Sequence, residues 1–593
     1  MSLAKHPDSE AGREEREKAS QDAWEAAFYI ENHLDHATYP EEVASPEQVG
    51  FMVHLQEGER YYPCSEQMYA AIMGRNQSEF LQNRYQEVLV RILDVIDTFI
   101  EDSRARVFLE SLIRIKFQHE TRDELMIPSR LEKRLFRIFL NQTDIMDPYL
   151  PEKSRRNQKA RETLKSQAFR DAFDFVDLSA MKTPPVSLGR IRDNLNALEL
   201  KRLFLLTGAR EIWQAEEAWS PDRDALLEVF SRPLVGDVQT LFCFLGVRGE
   251  TFQCGEDEGR KKILWLADEA GEILMDLKII RYLARLGHKV VVSFKGEPIF
   301  TKVDFADVME DRVLQEALDG ARIVSDPEIS KNALVEILRK EENIVVISDG
   351  TRENVNLLLA CTTFARAFKE TDAVISRGEE QRRRFFDTHF RFTRPVFNIC
   401  TKENGAVEIL HKPAHPDVIR FSHFDLERRA KNIIEEMKKA RENGMTVMFY
   451  SGIIGSIPGK IDEAKRIMTT FIEYLRSVFA ETFIINPSQY YEPGMDADDL
   501  MYMWEIVQRS GYIDIWRFQT YEDIAEAFAL SGERVPPEWV GKDATYSTGC
   551  TKEMHIAMDV LAKNPEMQLI GPPAEKFMRR KDYGVGKMHD KKL

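Results

Sequence analysis

Paired cysteines are missing from this chain. Cys64, Cys243, Cys254, Cys361, Cys400 and Cys550 form no CxxC pair, so neither a zinc ribbon nor a disulfide framework is expected, and a reducing cytoplasm is the expected setting. Positive charge is also short. With 82 Lys and Arg against 99 Asp and Glu, the net charge is −17; neither nucleic acid nor membrane is expected as a partner, because either needs a basic face. No apolar run approaches the roughly 18 residues of a membrane span, and the charged N-terminus is unlike a signal peptide.

What is present is an ordinary globular composition, 43% hydrophobic and 31% charged over 593 residues, which implies two to four domains. Residues 1–21 are dominated by Glu, Lys, Arg, Ser and Ala and read as a frayed helix or disorder. Residues 22–235 read as a helical domain: Tyr85 to Ile96 and Leu131 to Leu140 place apolar residues three and four apart. Glycine and proline are sparse there, and Pro184-Pro185 marks a hinge or linker. Trp213 and Trp219 read as core.

Residues 236–418 change character. Strand-length apolar runs at Ile263–Ala267, Lys289–Phe294, Arg322–Val324, Ile344–Ser348, Ala373–Ser376 and Val396–Ile399 alternate with helical spacing, which predicts an α/β fold with a Rossmann-like, mainly parallel sheet. Charged and hydroxyl residues gather at the strand ends, where open α/β sheets bind ligands. Asp268 and Glu269 follow the first run, Lys295-Gly296 with Lys302 and Asp304 the second, Ser348-Asp349-Gly350-Thr351 the fourth, and Arg377-Gly378 with Gln381 the fifth. Each alone reads as a capped turn. Together, on one sheet edge, they read as a site.

The segments Asp268-Glu269-Ala270-Gly271-Glu272-Ile273, Gly287 to Ile299, Val346 to Thr351 and Thr371 to Gly378 resemble, in this order, the damage-control phosphatase family, formerly a domain of unknown function and in one branch called acidic-residue methyltransferase-like. The resemblance implies a metal-dependent phosphatase acting on small phosphorylated metabolites of the sugar-phosphate or cofactor-precursor class. It further implies a divalent manganese, cobalt or nickel ion held at the end of the first strand and in the loop after the second. Such an ion polarises a phosphoryl oxygen and lowers the pKa of bound water.

Carried over residue by residue, the resemblance makes Asp268 the first metal ligand and a catalytic residue together with Arg377. Glu269 stands where the family has Asn. Lys302 stands where the family has the second Asp, and an ammonium repels a cation; Asp304, two residues on, is a ligand if the loop shifts. The resemblance assigns phosphate or substrate contacts to Glu272, Lys295, Lys302, Ser348, Asp349, Gly350, Thr351, Arg377, Gly378 and Gln381, the last replacing an Asn. Two readings stay open. Asp268, Glu269 and Asp304 hold a metal and the protein is a phosphatase, or Lys302 fills the metal's place and the protein is a degenerate member that binds a phosphorylated ligand or acts as a scaffold.

Residues 419–593 alternate helix and strand again and form a second α/β domain or extend the first sheet. The loop Ser451 to Lys460 is glycine-containing without being a Walker A sequence. Asp496, Asp498 and Asp499 read as an acidic helix start. Cys550 sits at a helix N-terminus, as an inert buried thiol or as a favoured thiolate. The basic end from Arg579 reads as a solvated terminus. Protein partners and oligomeric state stay unspecified.

Overall fold

The computed structural model describes residues 10–32, 51, 61–76, 78–176, 187–214, 221–249, 259–353, 356–457 and 459–578. Pro184-Pro185, Trp219, Cys254 and the basic end from Arg579 lie outside the described residues. The described residues divide into two compact units, with the boundary in sequence between Pro416 and Asp417.

The first unit is built on eight strands: β1 (Leu234–Gly236), β2 (Lys262–Leu266), β3 (Lys289–Phe294), β4 (Arg322–Ile323), β5 (Ile344–Ser348), β6 (Ala373–Arg377), β7 (Val396–Thr401) and β8 (Val407–Lys412). Their order is β1-β8-β7-β6-β2-β3-β5-β4. All neighbours are parallel except β7 and β8, which run antiparallel through a tight connection. The two-residue side-chain period of a strand explains why helices cover both faces. Leu264 and Leu266 of β2 join one core with Val291, Val345 and the helices Glu79–Phe99 and Pro128–Thr143. Ile263 and Trp265 point the other way, into a core with Val290, Val346 and the helices Leu188–Leu206 and Glu272–Arg285. The N-terminal helices and the sheet therefore share their cores.

The six expected strands of this region all form, within a few residues of their expected ends; β1 and β8 are additions. The three residues of β1 are too few to show a period, and β8 alternates only weakly because its outer positions are half-exposed. The helix Glu10–Glu31 begins inside the segment read as frayed. Its second half is tied down: Trp24 Nε1 donates to the Ile72 carbonyl at 3.0 Å and Arg75 Nη1 to Ser20 Oγ at 2.9 Å. Trp213 is buried, as expected.

The second unit has a parallel sheet of its own, β10-β9-β11-β12, from β9 (Thr446–Ser451), β10 (Thr482–Ile485), β11 (Ile515–Phe518) and β12 (Gln568–Ile570). Asp496 and Asp499 form a reciprocal capping box on the helix Ala497–Gln508, the dipole role that the acidic start implies. The Cys550 thiol is buried, donates to the Gly452 carbonyl and is pushed well above its usual pKa by burial, the state of an inert thiol. Cys64, Cys361, Cys400 and Cys550 are free and buried, whereas Cys243 is disulfide-bonded, a link that the cysteine spacing did not suggest. Among the described residues no helix is long and apolar enough to cross a membrane.

Candidate active site

In the eight-stranded sheet β2 is joined to β3 on one side and β6 on the other. Because the chain leaves β2 toward β3 and returns later to lay down β6, the crevice between the ends of β2 and β6 is the topological switch point, where this class of sheet holds ligands. Asp268 and Glu269 sit at the end of β2, and Arg377-Gly378 at the end of β6.

The loop after β3 folds back onto Asp268 to Ala270. The Val303 N–H donates to the Asp268 carbonyl and the Ala270 N–H to the Thr301 carbonyl, each at 3.0 Å, and Glu269 pairs antiparallel with Lys302. This backbone register decides which side chain meets the two carboxylates. Lys302 Nζ donates to Asp268 Oδ1 at 2.6 Å and lies 2.9 Å from Glu269 Oε1. Glu269 is further held by Thr301 Oγ1 at 2.7 Å and, at 3.5 Å, by Arg156.

The same register turns Asp304 elsewhere. Lys295 and Phe305 clamp the segment, Lys295 N–H donating to the Val303 carbonyl at 3.2 Å and Phe305 N–H to the Lys295 carbonyl at 2.9 Å. Asp304 Oδ1 caps the helix Phe305–Glu310 through the amides of Ala306 and Asp307, and Oδ2 takes Lys153 Nζ at 2.7 Å. The two-residue shift that would bring Asp304 to Asp268 has to break these backbone bonds, so Asp304 is not gathered with Asp268 and Glu269. Lys153 is also 2.7 Å from Asp147 and Asp307, and the ligand oxygens of Asp147, Asp304 and Asp307 lie within 4.8 Å of one another. Both carboxylate clusters of this region thus surround an ammonium.

Charge and burial set the titration. Burial raises Asp268 to about 6 although Lys302 opposes it. For Glu269 burial is again the largest influence and raises the pKa, but Lys302, Thr301 and Arg156 together bring it below the usual carboxylate range. Burial alone would lower Lys302; Asp268 and Glu269 outweigh it and raise its pKa, so the ammonium stays charged.

Arg377 is fully enclosed. It donates to Glu272 Oε1 at 2.7 Å and the Ile399 carbonyl at 2.9 Å, and its Nε lies 2.9 Å from Asp276 Oδ1. Trp265 Nε1 donates to Asp276 Oδ2 at 3.0 Å. Burial pushes Glu272 up to about 7 against the pull of Arg377. Gln381 accepts from the Arg377 N–H and donates to the Ala267 carbonyl, tying β6 to β2. Gly378 has φ +74°, and a Cβ there would stand 2.4 Å from Asp268 Oδ2, so only glycine lets the carboxylate reach Lys302.

The remaining expected residues form a third, closed group. Lys295 Nζ donates to Asp349 Oδ2 at 3.0 Å, Thr351 Oγ1 at 3.0 Å and the Glu353 carbonyl at 2.8 Å. Asp349 Oδ1 accepts from the Thr351 N–H and hydroxyl, and Ser348 Oγ from the Gly350 N–H. At Gly350, φ is +73° and a Cβ would strike Cys361.

Lys153, Arg156, Asp147, Asp307 and Asp276 were not among the expected site residues. Asp276 was within reach of sequence reasoning, since four residues after Glu272 it lies on the same helix face. Lys153 and Arg156 come from a helix more than a hundred residues upstream, where nothing distinguishes them from surface charges.

The residues do not fit a divalent cation at the end of β2. A cation needs the carboxylate oxygens that Lys302 already engages, and Asp304, the further ligand expected, is turned to Lys153. What the arrangement does is neutralise buried carboxylates with internal cations and hold three loops rigid.

The family model described as "Damage-control phosphatase ARMT1-like domain" matches residues 205–414. Among solved structures, a DUF89 family protein from Pyrococcus horikoshii is similar at 16% identity over 55% of this chain and 96% of that chain, with a TM-score of 0.38. No curated protein matches the chain.

Proposed function

The chain carries a damage-control phosphatase ARMT1-like domain over residues 205–414, and from that premise we propose that this domain is a metal-free, non-hydrolysing member that binds a small phosphorylated metabolite. One observation carries the proposal: Lys302 Nζ stands 2.6 and 2.9 Å from Asp268 and Glu269, with its charge where the metal's would be. In a metal-dependent phosphatase a bound cation polarises the phosphoryl oxygen and activates the attacking water. Here an ammonium with three N–H donors replaces that cation, and Arg377, the cation expected on the phosphoryl group, is committed to Asp276 and Glu272.

The metal-dependent phosphatase reading draws on a separate observation, the cluster of Asp147, Asp304 and Asp307. There a metal has to displace Lys153 from three carboxylates at 2.7 Å. The substrate class belongs to the proposal: a sugar phosphate or cofactor precursor. So does a cytoplasmic setting, favoured by four free cysteines and opposed by the Cys243 disulfide.

The test is elemental analysis of the purified chain with an aryl phosphate assay, with and without manganese, cobalt or nickel. We expect substoichiometric metal and no metal-stimulated turnover in the wild type, and new metal binding in Lys302→Asp. Near-stoichiometric metal, with turnover abolished by Asp268→Ala, overturns the proposal.

A further inference from the structure

In the first unit the helix Ser103–Glu120 packs against the helices Glu79–Phe99 and Pro128–Thr143. It is apolar on two sides. Leu109, Ile113 and Phe117, spaced i, i+4, i+8, are buried in the core beneath. Phe108, Leu112 and Ile115, spaced i, i+4, i+7, form a second row, in which Phe108 is 58% and Ile115 64% exposed and Leu112 is half-buried. At about 100° per residue the two rows are centred roughly 135° apart. One apolar stripe is enough to seat a helix on a core, so the second row has no use within the fold. Single exposed apolar residues are ordinary on a surface, but a row at this spacing is the anchor pattern of a helix contact.

Cations border the row. Arg104 and Lys116 fall within about 40° of its two edges, and Arg114 lies further round. All three are exposed and, among the described residues, none has a carboxylate partner. Arg106, on the side of the neighbouring helix, does pair, with Asp97 at 2.8 Å. The carboxylates of this segment stand elsewhere. Glu110 is about 160° round from Leu112, Glu120 is taken by Arg134, and Glu101 and Asp102 precede the first turn, which Asp102 caps. On a chain of net charge −17, three unpaired cations on one helix are a local excess of positive charge, and complementary charge selects the partner.

We propose that this face docks an amphipathic helix of a protein partner, whose apolar row packs along Phe108, Leu112 and Ile115 and whose flanking carboxylates meet Arg104 and Lys116. A helix fits because the row is one residue wide and about 10 Å long. Acidic flanks fit because no carboxylate of the helix Ser103–Glu120 borders the row. A second copy of the same face would bring Arg104 and Lys116 against like charges. A bilayer presents a plane rather than a ridge, and an anionic one repels a chain of this net charge. The proposal does not rest on the reading of Asp268 and Lys302.

The test is fluorescence anisotropy with the full chain and two labelled synthetic peptides. Both are amphipathic helices with leucine at i, i+4 and i+7; one carries glutamate on both flanks and the other lysine. Each is titrated with the wild type, with Phe108→Ser plus Ile115→Ser, and with Arg104→Glu plus Lys116→Glu. We expect the glutamate peptide to bind the wild type at least tenfold more tightly than the lysine peptide. The serine pair weakens that binding about tenfold or more, and the charge reversal shifts the preference toward the lysine peptide. These side chains are exposed, so thermal unfolding stays as in the wild type; should the serine pair unfold, the charge reversal decides alone. The proposal is overturned if the glutamate peptide does not bind, if both peptides bind alike, or if the variants bind like the wild type. It is equally overturned if the wild type instead sediments with phosphatidylserine vesicles, or forms a dimer, in a way that the serine pair abolishes.

Discussion

Removing the ammonium between Asp268 and Glu269 should destabilise the end of β2 in a pH-dependent way. Lys302→Met keeps most of the aliphatic stem and deletes the charge. Truncating one partner of a buried ion pair costs about 3–5 kcal/mol. With two carboxylates 2.6 and 2.9 Å from Nζ, the upper end of that range is expected at pH 8. The sign with pH follows from Asp268, raised by burial from 3.8 to about 6 in the folded protein. A carboxyl group raised on folding contributes stability that is fully present below its unfolded pKa and is lost as pH rises through its folded pKa, here between about 4 and about 6. Deleting Lys302, which opposes the rise, moves the folded pKa further up, and each added unit costs about 1.4 kcal/mol at high pH. Glu269 loses the cation that depresses it and moves in the same direction. The penalty should therefore be larger at pH 8 than at pH 5.5 by roughly 1–3 kcal/mol. Native-state hydrogen exchange on peptides covering Ile263 to Leu266, corrected for intrinsic rates, measures it locally and avoids a two-state assumption for a chain of two units. A penalty below about 1 kcal/mol, well under the range for a buried pair, or one equal at both pH values, would refute the placement of Lys302 between the carboxylates.

Arg377→Met should cost about 3–5 kcal/mol in the same exchange measurement, because Asp276 and Glu272 are left buried without their cation; adding Asp276→Asn should recover part of the loss, and no recovery would argue against a direct pair. Gly378→Ala should destabilise by about 1–3 kcal/mol, from strain at positive φ and a Cβ in the way of Asp268, and should weaken the Lys302 contact; a neutral effect on thermal unfolding would contradict the packing. In the second unit Glu553 is raised by burial from 4.5 to about 7, so its contribution is present at acid pH and fades as pH climbs through about 7. Glu553→Gln should flatten the pH dependence of that unit's unfolding between pH 5 and 8, and an unchanged slope would show that another group titrates there.

Much of the fold was legible because its signals are local. The apolar runs of β2, β3, β5, β6 and β7 are each bounded by turn residues and separated by helical spacing, and a chain that alternates in this way has few options besides a parallel sheet. The same locality placed Asp268 and Arg377 at strand ends. It also raised the question that mattered most, since Lys302 and Asp304 could both be read into the metal position with a slip of two residues.

The chain's own order of residues determined the elements, the edge of the sheet on which charge collects, and the presence of a lysine two residues before Asp304 in the loop after β3. Tertiary structure decided which side chains meet. Backbone pairing of Val303 with Asp268 and of Ala270 with Thr301 sets a register that no local propensity encodes, and it sends Lys302 to Glu269 and Asp304 to Lys153. Lys153 and Arg156 arrive from a helix more than a hundred residues upstream of Asp268, and their pairing depends on how that helix packs on the sheet. Desolvation then gives these contacts their weight, because a buried carboxylate must find a cation and the nearest one is chosen by the fold.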